Sequence, residues 1–451
     1  MAMNKFIADG CGRLGYSICS FKKQKFIQMK NESNVNSYAR VFPTTFEFAE
    51  GEILINNTGK KYLDFFCGAG ALNYGHNDPK LKQAIFSFLE KNSIVHCLDM
   101  DTKTKEIFLD KFDSIILKPR KLNYNIQFAG PTGTNAVEAA IKLARKITKR
   151  RKIASFTNSF HGMTATSLAL SGCLEKNQKI NPPQDVIFFP YENFLGDSVN
   201  TIKYLKKMII TDGSGIELPA AVIVETIQAE GGVNVASNTW LQDLRKFTQE
   251  NEIILIVDDI QVGCGRASSF FSFERASIIP DLILLSKSIS GFGLPLSLVL
   301  IKPEFDIWTP GEHNGTFRSN NLSLCAASET LNFWQDNSLE KNINLKAKKI
   351  KTTLEKLFNE SAYIVDIRGI GMIWGIEFID GNIAKRIATN LFNQGMLIET
   401  CGNKGQVLKL LPPLTISEKN LEEGLSKIED NILNFKLADN INVNDDILMI
   451  R

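Results

Sequence analysis

Leu282-Ile-Leu-Leu-Ser286-Lys287-Ser-Ile289, read together with Ile253-Ile-Leu-Ile-Val257-Asp258-Asp259-Ile-Gln261, decides the fold. Each is a short apolar, β-branched-rich run, the pattern of a strand buried on both faces of a parallel sheet. Each then ends in a charged residue that a sheet core cannot hold unpaired. In an open α/β sheet, ligands sit outside the carboxyl ends of the strands. Lys287 and Asp258 are thus placed to face one ligand. Similar runs lie near 126–129, 153–156, 186–189, 220–225 and 296–301, with amphipathic stretches such as Ala136–Arg151 and Trp240–Asn251 between them. That rhythm predicts an α/β fold with a mostly parallel seven-stranded sheet and helices on both faces.

Outward from this block, Val41 to Asp78 reads as short strands, with a hairpin turn at Asn57-Thr-Gly59. Cys67-Gly-Ala-Gly70 and Tyr74-Gly-His-Asn77 are small-residue loops of the kind that approach a ligand closely. After Leu322 a helical region runs to about Glu360, and a smaller α+β region opens at Ile364-Val-Asp-Ile-Arg368. The expected organisation is a segment 31–90 contributing to a small domain, a large domain over 91–335, and a C-terminal small domain over 336–436. Met1–Lys30 lacks the unbroken apolar stretch of a signal peptide. It reads as a disordered extension, or as residues ahead of a start at Met29; 437–451 reads as a polar, frayed tail.

With 52 basic against 49 acidic residues the formal charge is only +3. That leaves no electrostatic footprint for nucleic acid or an anionic membrane. Nor does any run approach the roughly 18 apolar residues of a membrane span. The eight cysteines include no C-x-x-C pair, so they read as reduced thiols of a cytoplasmic protein. No two of the four histidines have zinc-ligand spacing, and no metal site is expected.

A lysine able to form a Schiff base, plus an aspartate for a pyridinium nitrogen, is what a pyridoxal 5'-phosphate enzyme needs. Asp259 is the rival of Asp258 for the second role, and either could instead cap a turn. Gly130-Pro-Thr-Gly133-Thr134-Asn-Ala136 joins a strand to a helix, where backbone N–H groups and the helix dipole make an anion site. The same residues would also serve as an ordinary glycine-rich turn with Thr134 or Asn135 as cap. Phe160, in Asn158-Ser-Phe-His161-Gly162, is placed to stack on a planar cofactor or to fill core.

Taken together, these stretches resemble the class III (ω-amino-acid) aminotransferases, over about Tyr38 to Ile428. The resemblance is carried by Tyr62-Leu-Asp-Phe-Phe66, Gly68-Ala-Gly-Ala-Leu-Asn-Tyr-Gly-His-Asn77, Gly130-Pro-Thr-Gly-Thr-Asn-Ala-Val-Glu138, Val257-Asp-Asp-Ile-Gln-Val-Gly-Cys-Gly-Arg266, Leu285-Ser-Lys-Ser-Ile-Ser-Gly291 and Pro310-Gly-Glu-His-Asn-Gly-Thr-Phe-Arg318. It implies a fold type I architecture and a homodimer with shared active sites. Lys287 matches the Schiff-base lysine that also moves the proton, Asp258 the ring-nitrogen partner, and Gln261 the neighbour of the ring hydroxyl. Gly133 and Thr134 match the phosphate cup, Phe160 the stacking ring, and Thr316 a threonine reaching the phosphate from the other subunit. Glu225 and Glu230 match acids flanking the substrate pocket. Glu225 is counted among the cofactor contacts, and Glu230 pairs with a basic residue when no α-carboxylate is present.

Two positions depart from the ornithine- and 4-aminobutyrate-specific members. Met163 stands where they carry an arginine that grips a substrate carboxylate, and Lys409 where the family usually has arginine. Lysine keeps the charge but loses the bidentate fork. Both departures fit the branch that moves an amino group between diaminobutyrate and 2-oxoglutarate, of the sort used in ectoine or siderophore formation. Other ω-amine substrates, a glutamate-semialdehyde aminomutase and an inactive cofactor-binding module are the alternatives. Arg318 is a candidate for the substrate carboxylate, and Arg40 a weaker one.

Overall fold

The seven apolar runs become the strands Asn125–Gly130, Ile153–Phe156, Val186–Phe189, Ala221–Val224, Ile254–Asp258, Leu282–Leu285 and Ser297–Ile301 in a computed structural model that describes residues 31–172 and 185–436. The expected extension over 1–30 and tail over 437–451 lie outside the described residues. The strands form one sheet, in the order 125–130, 297–301, 282–285, 254–258, 221–224, 153–156, 186–189. Neighbours run parallel except Ser297–Ile301, which is antiparallel to both of its partners. The link from Leu285 to Ser297 holds only the short turn Lys287–Ser290. A parallel return needs a long, usually helical crossover, and this link is too short for one.

Residues of strand Ile254–Asp258 alternate between two cores, as strand geometry requires. Ile254 and Ile256 pack with Ala136, Val137, Ala140 and Ile141 of helix Gly133–Thr148. Leu255 and Val257 pack with Trp240, Leu241, Leu244 and Phe247 of helix Asn238–Glu250. Each fully buried Leu, Ile or Val contributes roughly 1.5–3 kcal/mol relative to exposure, so this double-sided strand is an anchor for the charged residues at its end.

Strands Phe46–Glu50, Ile53–Asn56 and Lys61–Asp64 are antiparallel, and the expected hairpin closes as Asn56 Oδ1 accepts the N–H groups of Thr58 and Lys60. Met396–Leu397, far along the chain, adds a parallel strand to this sheet. A second antiparallel sheet runs 364–370, 373–378, 407–410, 399–401. The helical stretch expected from Leu322 to Glu360 is interrupted. Asn321–Thr330 and Ser338–Glu360 are separate helices, because Asp336 Oδ1 takes the N–H of Ser338 and competes with helical continuation. Residues 31–45 belong to a compact unit ending at Thr45, with one helical turn at Tyr38–Val41. Among the described residues no helix is long and apolar enough to cross a membrane.

Candidate active site

Asp258, at the end of its strand, is 5% exposed, and its Oδ2 lies 2.7 Å from His161 Nδ1. His161 Nε2 is buried without a hydrogen-bond partner among the described residues. Gly162, next in the chain, has φ +130°, and a Cβ there would meet Ser167 Oγ at 2.7 Å and Thr134 Oγ1 at 2.9 Å. Glycine is therefore what lets this loop close on the helix start. Glu225, at the end of strand Ala221–Val224, accepts the N–H of Phe160 at 3.0 Å. Burial first, and then the neighbouring Asp258, holds its carboxyl well above the usual carboxylate range. Asp259 is committed elsewhere: it accepts from the N–H and the hydroxyl of Ser272.

Lys287 follows its strand with φ +50°, a left-handed conformation that costs a non-glycine residue about 1–3 kcal/mol. Its Nζ donates to Ala69 O at 2.9 Å, and burial pushes the amine below the usual lysine range. Gln261 Nε2 donates to the same carbonyl at 2.8 Å and to Glu230 Oε1 at 3.0 Å. Glu230 Oε1 also takes Lys409 Nζ at 2.5 Å. Burial would raise the Glu230 carboxyl, but Lys409 and Lys287 outweigh it and bring it down to about 2. Lys409 is fully buried, yet its two carboxylates hold it well above the usual range. The second is Glu399, 2.9 Å away. One hydrogen-bonded chain thus runs Lys287, Ala69 O, Gln261, Glu230, Lys409.

Gly133 opens helix Gly133–Thr148, leaving N–H groups of the first turn without helical partners. The Thr134 hydroxyl meets those of Thr164 and Ser167 at 2.7 and 2.8 Å. Thr316 is exposed and forms no hydrogen bond within the described residues. Arg318 is not joined to Lys287, Asp258 or Glu230. Burial lowers its guanidinium from the usual range, Asp99 works against that, and its Nη2 is buried with no partner among the described residues. Met163 is exposed. Arg40 donates to Asn34 O within the first unit.

Burial, a suppressed amine, a fixed carboxylate and a helix start capped by Thr132 and Asn135 together suit a planar anionic ligand that reacts with amines. Two contributors had no assigned role from sequence. His161 had a faint signal, as a histidine beside Phe160 at a strand end. Glu399 had one only through the hairpin: it is the cross-strand partner of Lys409, across a turn holding Gly402 and Gly405.

A family model described as aminotransferase class-III matches residues 35–432. The chain is 49% identical over 403 residues to a diaminobutyrate–2-oxoglutarate transaminase of Halalkalibacterium halodurans, covering 89% of this chain and 94% of that one. A protein of the same name from Streptomyces avermitilis is 48% identical, with 87% and 94% covered. Among solved structures, an ornithine aminotransferase from Toxoplasma gondii ME49 superposes with TM-score 0.75 at 25% identity, over 87% of this chain and 90% of that one. A Bacillus anthracis aminotransferase does so with TM-score 0.81 at 21% identity, over 89% and 96%. The large mostly parallel sheet with its smaller sheets is a fold type I architecture, and the chain belongs to the class III aminotransferases.

Proposed function

We propose that this enzyme moves the terminal amino group between L-2,4-diaminobutyrate and 2-oxoglutarate, giving aspartate 4-semialdehyde and glutamate, or runs in reverse. The observation that carries this is the likeness, over nearly the whole of both chains, to relatives named for that activity. Met163 supports it, since no arginine stands there to demand a terminal carboxylate.

Pyridoxal 5'-phosphate is the proposed cofactor, and the residues fit it: a suppressed amine, a buried carboxylate and a helix start converge on one strand-end region. When bound, it supplies an aldehyde that takes up amines and a ring that withdraws electrons from the carbon beside nitrogen. Lys287 would hold it and, once displaced by the substrate amine, carry the proton to and from that carbon; burial favours the neutral amine that this task needs. Asp258, oriented by His161, would keep the ring nitrogen protonated. Gly133 and Thr134 would bind the phosphate at the helix start, Phe160 would cover the ring, and Glu225 and Gln261 would border it. Thr316, exposed in one chain, would serve the phosphate site of a second, in a cytoplasmic homodimer. Glu230 would pair with Lys409 until an α-carboxylate takes its place, and Arg318 is the candidate for the substrate's other carboxylate.

The test is to mix cofactor-loaded protein with L-2,4-diaminobutyrate and 2-oxoglutarate and follow glutamate. Glutamate that requires both substrates is the expected outcome. No glutamate, with turnover on another amine, discards the substrate and keeps the family.

A further inference from the structure

Lys409 has two carboxylate partners, and they are not equivalent. Glu230 is 28% exposed and shares the same oxygen with Gln261. Glu399 is 8% exposed by its side chain, and its Oε1 has no hydrogen bond from any other group among the described residues. Glu399 is also the direct cross-strand neighbour of Lys409, on strand Glu399–Cys401 beside Val407–Leu410. Backbone pairing therefore fixes the distance between these two side chains' roots, whereas Glu230 stands on a loop outside that sheet.

Resting on the proposed exchange of Glu230 for an α-carboxylate, we propose that Glu399 is a positioning residue that holds Lys409 in place while Glu230 gives way to the carboxylate of glutamate or 2-oxoglutarate. An arginine orients itself through its planar fork, but a lysine is a point charge on a flexible stem. A lysine that loses one partner needs a second to stay aimed. Glu399 supplies it from inside the sheet, where the incoming carboxylate does not compete. The burden falls on the half-reaction that brings an α-carboxylate to Lys409. The half-reaction on the terminal amine of diaminobutyrate leaves the Glu230–Lys409 pair intact.

The test is Glu399→Gln, with Glu399→Asp beside it, in the cofactor-loaded enzyme. The expected result is a KM for 2-oxoglutarate raised roughly 10-fold, as for one lost charge-assisted contact. The KM for diaminobutyrate should stay within about threefold. Glutarate, an unreactive dicarboxylate, should bind about 10-fold more weakly when titrated by the cofactor's visible absorbance. Adding Lys409→Arg to Glu399→Gln should restore much of that affinity, because the fork replaces the missing aim. Equal rises in both KM values, or no loss of glutarate binding in either variant, overturns the proposal and leaves the transaminase assignment standing. A wild-type enzyme that transfers nitrogen only to other keto acids overturns the proposed function and this inference together.

Discussion

Two lysines, one in the turn after a parallel strand and one inside an antiparallel sheet, sit at the two ends of one chain of hydrogen bonds and are shifted in opposite directions. Lys287, beyond a parallel strand, has only a carbonyl oxygen for a direct partner, and burial lowers its amine. Lys409, inside the antiparallel sheet, touches two carboxylates, and they raise it despite complete burial. Desolvation lowers both, so the opposite outcomes follow from their partners. A lysine whose direct partner is a neutral carbonyl is free to act as a nucleophile, while one held directly by two carboxylates stays charged. The proposed reaction uses both on one substrate, and Glu230 and Gln261 hold them at opposite ends of a short bridge.

Lys287→Ala breaks the comparison at its reactive end and carries the largest expected effect. Turnover should fall by about 1,000-fold or more, the scale of losing the proposed nucleophile and proton carrier together. Borohydride reduction of the loaded wild type should add the cofactor's mass to the peptide containing Lys287, and the variant should show no such peptide. Mass on a different lysine would move the reactive centre.

Lys409→Met breaks it at the charged end. Two carboxylates then face each other in a buried site without a cation, at a cost of about 3–5 kcal/mol. The sign of its pH dependence follows from linkage. Without Lys409, the Glu230 carboxyl rises from its present value of about 2. The variant lacks the stability that the depressed carboxyl gives the wild type, so its deficit should grow as pH rises from about 2 to about 4.5. Denaturant midpoints at the two pH values measure this. A deficit that fails to grow over this range would mean Lys409 was not the cation holding the pair.

How much of this was legible in the sequence follows the range of each interaction. The strand ends were legible because a strand buried on both faces is a continuous apolar run, and the charge that stops it is conspicuous. Lys287, Asp258 and the helix start at Gly133 all announce themselves within a few neighbours. The reversal of Ser297–Ile301 was less visible, because it depends on what the linker from Leu285 lacks. Arg266 gave no sign of its setting: it follows a Gly-Cys-Gly turn, yet it is fully buried and donates to Met372 O, Pro412 O and Asn73 Oδ1. Those partners come from three distant parts of the chain. Glu399 falls between the extremes. Its pairing with Lys409 is written in the hairpin, but only once the register is known.

Glu230→Gln should have the smallest effect, because it removes the bridge while leaving each lysine a partner. In the wild type, the Glu230 carboxyl lies at about 2 against an ordinary 4.5. A depressed carboxyl contributes stability that is complete above the unfolded value and lost as pH falls through the folded one. The wild type's advantage over the variant should therefore be full at neutral pH and fade between about 4.5 and about 2. Its size is tempered by what remains. Glu399 is now held above the usual carboxylate range by burial, against the pull of Lys409, with Glu230's charge adding to the rise. Once Glu230 is neutral, that repulsion is gone and Glu399 ionises more readily, giving Lys409 a full counter-ion. The net loss should be about 1–2 kcal/mol at neutral pH, smaller than for Lys409→Met. Thermal or denaturant midpoints across the acid limb decide it: a difference that persists unchanged to about pH 2 would show that packing, and not the charge pair, carried Glu230's contribution.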